Sequence, residues 1–285
     1  MKKFILFSFF ILISFSSSST FDDSLARKYM ILLSSAAYSN ISQICLDKHF
    51  PGAKVISQVV TPCDVLGETC GAYVFVDDAK KALGISFRGT ISNEQMIGEA
   101  MYTLFGPLSE FGPGGKVATY FHDAFIELWS NGIGRALREQ VNLHPNYQTW
   151  ITGHSLGGAI ASIAADYIAF NRIVYPQSLL LYTFGQPRTG NREYGEAHGR
   201  NVRSSFRVTH AGDIIPHVPF EFMTYRHHET EIFYRGDMSG PSFVVCDGPE
   251  DEKCSRSQHD LSMFNHRHYY GIVVPDYGKT YCGRF

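Results

Sequence analysis

A serine between two glycines stands at the centre of the sequence Gly-His-Ser-Leu-Gly-Gly, which occupies positions 153–158. A serine hydroxyl is a weak nucleophile unless the chain exposes it beside a base. Residues 147–152 are typical of a short strand and residues 159–170 of a helix, so Ser155 would stand on the turn between them. Flanking glycines leave room for such a crowded turn. The pattern predicts an activated serine nucleophile; the alternative is a glycine-rich helix start around a buried capping serine.

Ser155 would need two partners: an imidazole within hydrogen-bonding distance and a carboxylate that fixes the tautomer of that ring. Where the serine stands on a strand-to-helix turn, the chain order is serine, acid, histidine. Asp213 fits the acid, because a short loop separates it from the strand-like residues 206–209 and the sequence Ile-Ile-Pro at 214–216 would anchor that loop. The alternative is a turn aspartate that binds its own backbone.

The base must be chosen among twelve histidines. Three of them, His259, His266 and His268, lie near the end of the sequence, beyond Asp213. His266 and His268 alternate, so an extended segment would present both on the same side. The residues alone leave the choice between these two open.

Two hydrogen-bond donors are expected for the oxyanion that forms when a serine attacks a carbonyl. The N–H of Leu156 directly follows the nucleophile, at the start of a helix where N–H groups have no helical partner. The second donor should come from the end of an earlier strand. Thr90, in the sequence Arg-Gly-Thr at 88–90, offers both its N–H and its hydroxyl. An ordinary turn at a strand end is the alternative for this segment.

The elements that would position these residues alternate between strands and helices. After a helix capped by Asp22 or Asp23, we expect strands, a helix and further strands. The expected strands span residues 53–60, 71–76, 82–88, 178–184 and 206–209, and the expected helix spans residues 121–141. This order predicts an α/β fold: a single domain with a central, mostly parallel sheet flanked by helices, and antiparallel strands on one edge. Sites in such sheets gather at the carboxyl ends of the strands.

The first twenty residues have a composition of their own. Lys2 and Lys3 precede an apolar run at residues 4–15 and small polar residues at 16–20. This pattern is typical of a secretory signal peptide cleaved near Ser19 or Thr20, and the apolar run is too short for a membrane span. An uncleaved signal anchor is the alternative. We therefore expect a signal peptide over residues 1–20 and a secreted, extracellular domain over residues 21–285, without a transmembrane segment.

Composition and charge exclude several partner classes. The 285 residues are 44% hydrophobic, which suffices for one large core. A net charge of −2 provides neither a nucleic-acid footprint nor a polybasic membrane patch, so we expect no nucleic-acid partner. A zinc site at His227 and His228, or at His266 and His268, is a weak alternative. The sequence lacks the H-E-x-x-H and paired C-x-x-C spacings that would support one.

Six cysteines in an exported chain indicate three disulfides. Short spacing favours two local pairs and leaves the remaining two cysteines to join the ends of the chain, although fifteen pairings are possible. The expected bonds are Cys63–Cys70, Cys246–Cys254 and Cys45–Cys282.

Several stretches, taken in order, resemble the fungal-type, class 3 triacylglycerol lipases of the α/β-hydrolase superfamily. They are Phe-Arg-Gly-Thr at 87–90, the serine turn at 153–158, Phe-Gly-Gln-Pro-Arg at 184–188, Asp-Ile-Ile-Pro at 213–216 and His-Arg-His-Tyr-Tyr-Gly-Ile at 266–272. The resemblance covers most of the chain after residue 20. It implies a lipase-type α/β-hydrolase fold with Ser155 as nucleophile and Asp213 as acid. It also selects His266 over His268, because the family's catalytic histidine stands three residues before an aromatic-aromatic-glycine run.

The same resemblance assigns the oxyanion donors to Thr90 and Leu156. The spacing of the six cysteines here is also similar to that of the three disulfides in the family. It implies a serine hydrolase that cleaves carboxylic esters of lipids at an oil–water interface, with triacylglycerol as the favoured substrate. The reaction would pass through an acyl-enzyme and need no metal or organic cofactor, and we expect a monomer. An esterase or phospholipase is the first alternative, and a catalytically silent lipid-binding protein is the second.

The family closes its site with a short helical lid after the oxyanion turn. The corresponding segment here is residues 91–105, where Ile97, Met101 and Leu104 fall on one helical face. A lid would turn this apolar face toward lipid. A helix packed on the core is the alternative, and the sequence of the segment matches the family poorly.

Overall fold

The computed structural model describes residues 20–63, 69–89 and 106–283. Three sequence predictions fall outside these ranges: the signal peptide up to residue 19, the oxyanion residue Thr90 and the lid candidate at 91–105.

The strands follow one another along the described chain in an order close to the expected one. They are β1 Lys54–Pro62, β2 Thr69–Asp77, β3 Ala82–Phe87, β4 Leu108–Glu110, β5 Lys116–Ala118, β6 Gln148–His154, β7 Leu179–Phe184, β8 Gly190–Asn191, β9 Ser205–His210, β10 Tyr225–Arg226, β11 Glu231–Tyr234, β12 Val244–Val245, β13 His268–Tyr269 and β14 Ile272–Val273.

The α-helices are Asp23–Leu25, Ile31–Ala36, Ser42–His49, Thr119–Leu128, Gly134–Leu143, Leu156–Phe170, Arg192–Asn201, Met263–Arg267 and Val274–Lys279. Two π-helical stretches, Ala26–Met30 and Trp129–Ile133, continue the helices before them. Short 3₁₀ turns occur at Pro176–Ser178, Ile215–His217, Glu221–Met223 and Ser255–Ser257. The Asp22 carboxylate caps the first helix by accepting a hydrogen bond from the N–H of Leu25.

An eight-stranded sheet in the order β1-β2-β3-β6-β7-β9-β11-β12 organises the molecule. Its five strands from β3 to β11 pair in parallel, whereas β1–β2, β2–β3 and β11–β12 pair antiparallel at the two edges. The predicted α/β fold is confirmed, including the antiparallel hairpin at one edge. The parallel strands bring the loops after β3, β6, β7 and β9 to the same end of the sheet.

Helices cover both faces of this sheet. Residues of β2 alternate between the faces, so that Val74 packs into one hydrophobic cluster while Tyr73 and Phe75 pack into the other. The first cluster includes the helices Thr119–Leu128 and Leu156–Phe170, and the second includes the helices Ile31–Ala36 and Ser42–His49. The core therefore lies in two layers around the strands that lead to the candidate site.

The prediction of a single continuous helix at residues 121–141 is wrong. The chain forms two helices, Thr119–Leu128 and Gly134–Leu143, joined by the π-helical stretch Trp129–Ile133. Gly132 has a φ of 129° inside this stretch, a conformation that glycine reaches without steric cost. The break lies where the pattern of apolar residues continues, so periodicity alone did not reveal it.

Three disulfides join the cysteines in the pairs expected from the sequence. Cys45–Cys282, Cys63–Cys70 and Cys246–Cys254 have Cα separations of 5.3, 5.6 and 6.1 Å. The first connects the helix Ser42–His49 to the chain just after the helix Val274–Lys279. Over the described ranges, no helix combines the length and apolar character that a membrane span requires.

Candidate active site

Ser155 stands on the turn between β6 and the helix Leu156–Phe170, with φ of 62° and ψ of −134°. This backbone conformation is costly for a residue with a side chain, and such strain is concentrated at functional sites. Glycines make the turn sterically feasible: a Cβ at Gly153 would overlap the backbone of Gly157, and one at Gly157 would overlap the backbone at the end of β3. The Ser155 side chain makes no capping hydrogen bond with the helix, which argues against the capping-serine alternative.

Asp213 and His266 form a hydrogen-bonded pair. The Nδ1 atom of His266 lies 3.0 Å from Oδ1 and 3.1 Å from Oδ2 of Asp213. Both residues are buried. Because a carboxylate can only accept, Nδ1 carries a proton, and Nε2 is the nitrogen that can take one up when it holds a lone pair. The pair therefore presents a base at Nε2.

Asp213 stays ionised in spite of its burial. Burial acts to raise its pKa, but the His266 ring and hydrogen bonds to the carboxylate hold the pKa below the ordinary value. The donors include the hydroxyl of Tyr269 at 2.6 Å and the N–H of Ile215 at 2.9 Å. The Ile215 bond is the local turn contact proposed as the alternative reading of Asp213, so the residue closes a turn and also binds His266.

His266, rather than His268, is the histidine that contacts the acid. The Nδ1 atom of His268 instead lies 2.7 Å from the carbonyl oxygen of Phe264, and the two rings stack with centroids 3.9 Å apart. His259 is exposed. The choice that the local sequence left open is therefore made by tertiary contact.

The ends of β6 and β7 bring Ser155 to the Asp213–His266 pair. The N–H of Ser155 donates to the carbonyl of Phe184 at 2.9 Å, so the serine lies against the end of β7. The next residue, Gly185, has a φ of 57°, and a Cβ there would lie 2.6 Å from Oδ2 of Asp213 and 2.8 Å from Nδ1 of His266. One turn thus contacts all three candidate residues.

Two buried atoms at this junction lack hydrogen-bond partners. Within the described part of the chain, neither Oγ of Ser155 nor Nε2 of His266 has one. Buried polar atoms are normally satisfied, and exceptions call for a functional explanation. A hydroxyl and an imidazole lone pair in this state are suited to exchange a proton with a reacting group.

Of the two oxyanion donors predicted from the sequence, Leu156 lies within the described residues and Thr90 does not. Leu156 is the first residue of its helix, so its N–H has no acceptor within that helix. The end of β3 lies beside the nucleophile, because a Cβ at Gly89 would lie 3.1 Å from Cβ of Ser155. Thr90 follows Gly89 directly in sequence but is outside the described residues.

Sequence reasoning missed two side chains that contact the candidate residues. It assigned no role to the Tyr269 hydroxyl, although a buried tyrosine normally finds a hydrogen-bond partner, here Asp213. It ignored His154, whose ring stacks on that of His266 with centroids 4.6 Å apart. The role of Tyr269 could have been suspected from this general rule. Nothing in the sequence around Ser155 indicates the contact between His154 and His266.

The histidines of the zinc alternative are engaged in hydrogen bonds. Nε2 of His227 lies 2.8 Å from the carbonyl of Pro216, and Nδ1 of His228 lies 2.8 Å from the carbonyl of Glu229. In the ranges that the structure describes, no group of three or more His, Cys, Asp or Glu residues is arranged to hold a metal ion.

Comparison with known proteins identifies the family. A family model described as lipase (class 3) matches residues 84–223. Lipase ZK262.3 of Caenorhabditis elegans is 34% identical over 290 residues, an alignment that covers 90% of this chain and 81% of that protein. The chain belongs to the class 3 lipases. The resemblance seen in the sequence is thereby confirmed, and hydrolysis of lipid carboxylic esters is the class of reaction that the family indicates.

Other class 3 lipases agree in sequence and fold. Secreted mono- and diacylglycerol lipase 1 of Fusarium solani is 31% identical over 205 residues, which cover 70% of this chain and 60% of that protein. The crystal structure of the lipase from Rhizopus microsporus var. chinensis superposes with a TM-score of 0.77 at 25% identity. That superposition covers 91% of this chain and 88% of the Rhizopus chain.

Proposed function

We propose that this class 3 lipase is a secreted, monomeric serine hydrolase that cleaves triacylglycerols at an oil–water interface through an acyl-enzyme. The observation that carries the proposal is the junction of Ser155 with the Asp213–His266 pair, where the buried Oγ of Ser155 and the buried Nε2 of His266 have no hydrogen-bond partner among the described residues. No metal or organic cofactor is needed for this chemistry.

In the proposed reaction, Nε2 of His266 takes the proton of Ser155 as its Oγ attacks the ester carbonyl carbon. The protonated ring then gives that proton to the leaving alkoxide, which departs as the alcohol and leaves the acyl group on Ser155. Water attacks the acyl-enzyme after giving a proton to the same nitrogen, and the fatty acid is released. Asp213, kept ionised by its surroundings, stabilises the imidazolium in both halves.

The negative oxygen of each tetrahedral intermediate would be bound by the N–H of Leu156 and by Thr90. Leu156 supports this role by its place at the helix start, and Gly89 supports it by bringing the end of β3 against Ser155. Loss of one such donor typically lowers turnover by about 10²–10³-fold.

Two observations support a lipid substrate, and two others support an exported enzyme. The family acts on lipid esters. Phe264, two residues before His266 in the sequence, is 66% exposed, and an exposed aromatic ring suits an apolar substrate better than a polar one. Secretion is supported by the three disulfides, which require an oxidising compartment, and by the Fusarium relative that is named as secreted.

Labelling with a fluorophosphonate tests the nucleophile. The wild-type protein should be labelled and should hydrolyse esters, while Ser155→Ala should do neither and should keep its thermal unfolding temperature. Ser162→Ala is the matched control, because Ser162 is buried on the helix that follows Ser155 and its hydroxyl bonds that of Tyr194, which is not part of the proposed site. Labelling of Ser155→Ala, or full activity in it, would contradict the proposal. An unlabelled wild-type protein would favour the silent lipid-binding alternative.

A pair of histidine variants tests the base. His266→Ala should lose at least about 10³-fold in kcat, as expected when one member of a serine triad is removed. His268→Ala should stay within about threefold of wild type, because His268 contacts Phe264 and not Asp213. The reverse ranking would assign the base to His268.

The substrate is tested by comparing three esters at equal ester concentration. These are an emulsified long-chain triacylglycerol, a phospholipid vesicle and a soluble short-chain ester. Preference for the emulsion supports the proposal, and preference for either of the others would replace it with the phospholipase or esterase alternative.

A further inference from the structure

The residue before the nucleophile, His154, is packed against the proposed base. The His154 and His266 rings lie nearly parallel, with an interplanar angle of 23° and centroids 4.6 Å apart. Nε2 of His154 also lies 2.8 Å from the carbonyl oxygen of His266. His154 thus touches both the ring and the backbone of His266, and nothing in the proposed reaction uses its own nitrogen atoms.

The hydrogen bonds of His154 determine its tautomer. A carbonyl oxygen can only accept, so Nε2 of His154 must carry a proton. Burial lowers the pKa of His154 to about 3, with the neighbouring His266 acting in the same direction, so the ring is neutral at physiological pH. Nδ1 of a neutral ring with a protonated Nε2 is an acceptor, and the hydroxyl of Tyr38, 2.9 Å away, donates to it.

Tyr38 is fixed in turn by the backbone beside the nucleophile. Burial raises the pKa of Tyr38 far above its ordinary value, so the side chain remains a neutral phenol. The N–H of Gly89 hydrogen bonds to its hydroxyl. A Cβ at Gly89 would overlap that hydroxyl, which shows how closely the phenol packs on the end of β3. A continuous set of contacts therefore runs from Gly89 through Tyr38 and His154 to His266.

The charged groups that act on His154 oppose one another. His266 and Arg267 disfavour a charge on the His154 ring, while Asp213 favours one. Burial outweighs these contributions and keeps the ring neutral. A neutral ring is what the site requires here, because a positive charge 4.6 Å from His266 would repel the imidazolium that forms during turnover.

We propose that Tyr38 and His154 are positioning residues for the base: Tyr38 fixes the tautomer of His154, and His154 fixes the ring and backbone of His266 so that Nε2 faces Ser155. The catalytic part of this inference rests on the function proposed above. It assigns to the second residue of the serine motif a role that acts through His266 and not on the substrate.

Variants that keep an aromatic ring distinguish the positioning of His266 from simple packing. Tyr38→Phe removes the donor to His154 together with the acceptor of the Gly89 N–H. His154→Phe leaves the Tyr38–Gly89 bond and keeps a ring against His266, but it removes both hydrogen bonds of His154. The matched control is Tyr73→Phe, because Tyr73 is buried in the same hydrophobic cluster as Tyr38 and its hydroxyl bonds the carbonyl of Leu33, at 2.8 Å, and the side chain of Ser86, neither of which belongs to the site. The measurements are kcat and KM on a soluble ester, the unfolding temperature, and the downfield NMR proton resonance of the His266–Asp213 hydrogen bond.

In Tyr38→Phe we expect kcat to fall about 10-fold to 100-fold with KM changed less than about twofold, as for a misplaced catalytic group. The downfield proton should shift or broaden in the same variant, and His154→Phe should show both effects more strongly. Tyr73→Phe should lower the unfolding temperature about as much as Tyr38→Phe but leave kcat and the proton resonance as in wild type.

The inference is overturned if Tyr38→Phe keeps kcat within twofold and the resonance in place, or if Tyr73→Phe changes both as much. Should the wild-type protein hydrolyse no ester and resist the fluorophosphonate, the proposed function fails. The proton resonance then still decides whether Tyr38 and His154 position His266, because it is measured without substrate.

Discussion

The hydroxyl of Tyr269 donates a 2.6 Å hydrogen bond to Oδ2 of Asp213. This bond is one of the contacts that hold the pKa of Asp213 low against the effect of burial. Tyr269→Phe should therefore raise the pKa of Asp213 and lower kcat about tenfold, since a hydrogen bond to a charged group contributes roughly 1.5–3 kcal/mol. Steady-state kinetics on a soluble ester measure the effect on kcat.

The same variant makes a prediction about acid unfolding. A carboxyl whose pKa is lower in the folded than in the unfolded protein contributes stability above its unfolded pKa, and this contribution is lost as the pH falls through the folded pKa. Because Tyr269→Phe raises the folded pKa of Asp213, the contribution should be lost at a higher pH. The midpoint of acid unfolding should move upward relative to wild type and to Tyr73→Phe. An unmoved midpoint would show that the Tyr269 bond does not tune Asp213.

Gly185→Ala should disable the site more than it destabilises the fold. Its positive φ adds backbone strain of about 1–3 kcal/mol. The new methyl group would also collide with Asp213 and His266, so kcat should fall about 100-fold or more. Gly52→Ala is the matched control, because Gly52 has a φ of 95° but nothing within 4 Å of the added atom. Similar losses of kcat in both variants would refute the collision.

Removal of the Cys45–Cys282 bond should cost more stability than removal of either local bond. Its sequence separation of 237 compares with 7 and 8 for the others. On the loop-entropy model the long bond contributes about 5 kcal/mol and each short one about 2.5 kcal/mol. Paired cysteine-to-alanine variants, unfolded by denaturant without reductant, measure the difference. A smaller loss for the long bond would show that chain entropy does not set the order.

Because of Asp166, the free energy of unfolding should fall as the pH rises from about 4 to 7. Burial raises the pKa of Asp166 to about 7, an effect that a hydrogen bond from Asn201 only partly offsets. The folded protein therefore binds a proton in this range that the unfolded protein releases. Asp166→Asn should remove the dependence, with a difference in slope of up to roughly 1.4 kcal/mol per pH unit.

Denaturant unfolding at pH 4, 5.5 and 7 measures that difference. The exposed Asp123, for which Asp123→Asn is the control, should show no comparable change in slope. Parallel curves for the wild type and Asp166→Asn would mean that Asp166 is ionised in the folded protein throughout this range.

The sequence predicted the strand, turn and helix around Ser155 and the loop of Asp213 because each is indicated by residues close to it in the chain. The glycines at 153 and 157 are needed because the serine turn packs closely on itself and on the end of β3, and that need is visible as spacing. Asp213 was found from the strand before it and the apolar residues after it. The strand and helix that meet at Ser155 were correct in kind. The bounds next to Ser155 were wrong, since β6 continues to His154 and the helix starts at Leu156, whereas the predicted helix end at residue 170 is confirmed.

The contacts that orient the base were not predictable in this way. His154 and Tyr38 are 116 residues apart, and their bond exists only because the helices before β1 pack on the face of the sheet beneath the serine turn. The role of the Tyr269 hydroxyl was missed because its acceptor, Asp213, lies 56 residues earlier in the sequence. Only the family resemblance separated His266 from His268, since the distinction depends on which ring reaches Asp213.

The bond between Cys45 and Cys282 also orders events during biosynthesis. Cys282 is translated after Ser155, Asp213 and His266, so every side chain of the proposed reaction emerges from the ribosome before the crosslink can close. A nascent or prematurely terminated polypeptide lacks this clamp, even when it already contains the nucleophile. Only a polypeptide translated beyond residue 282 can therefore carry the covalent link between the helix Ser42–His49 and the segment after the helix Val274–Lys279.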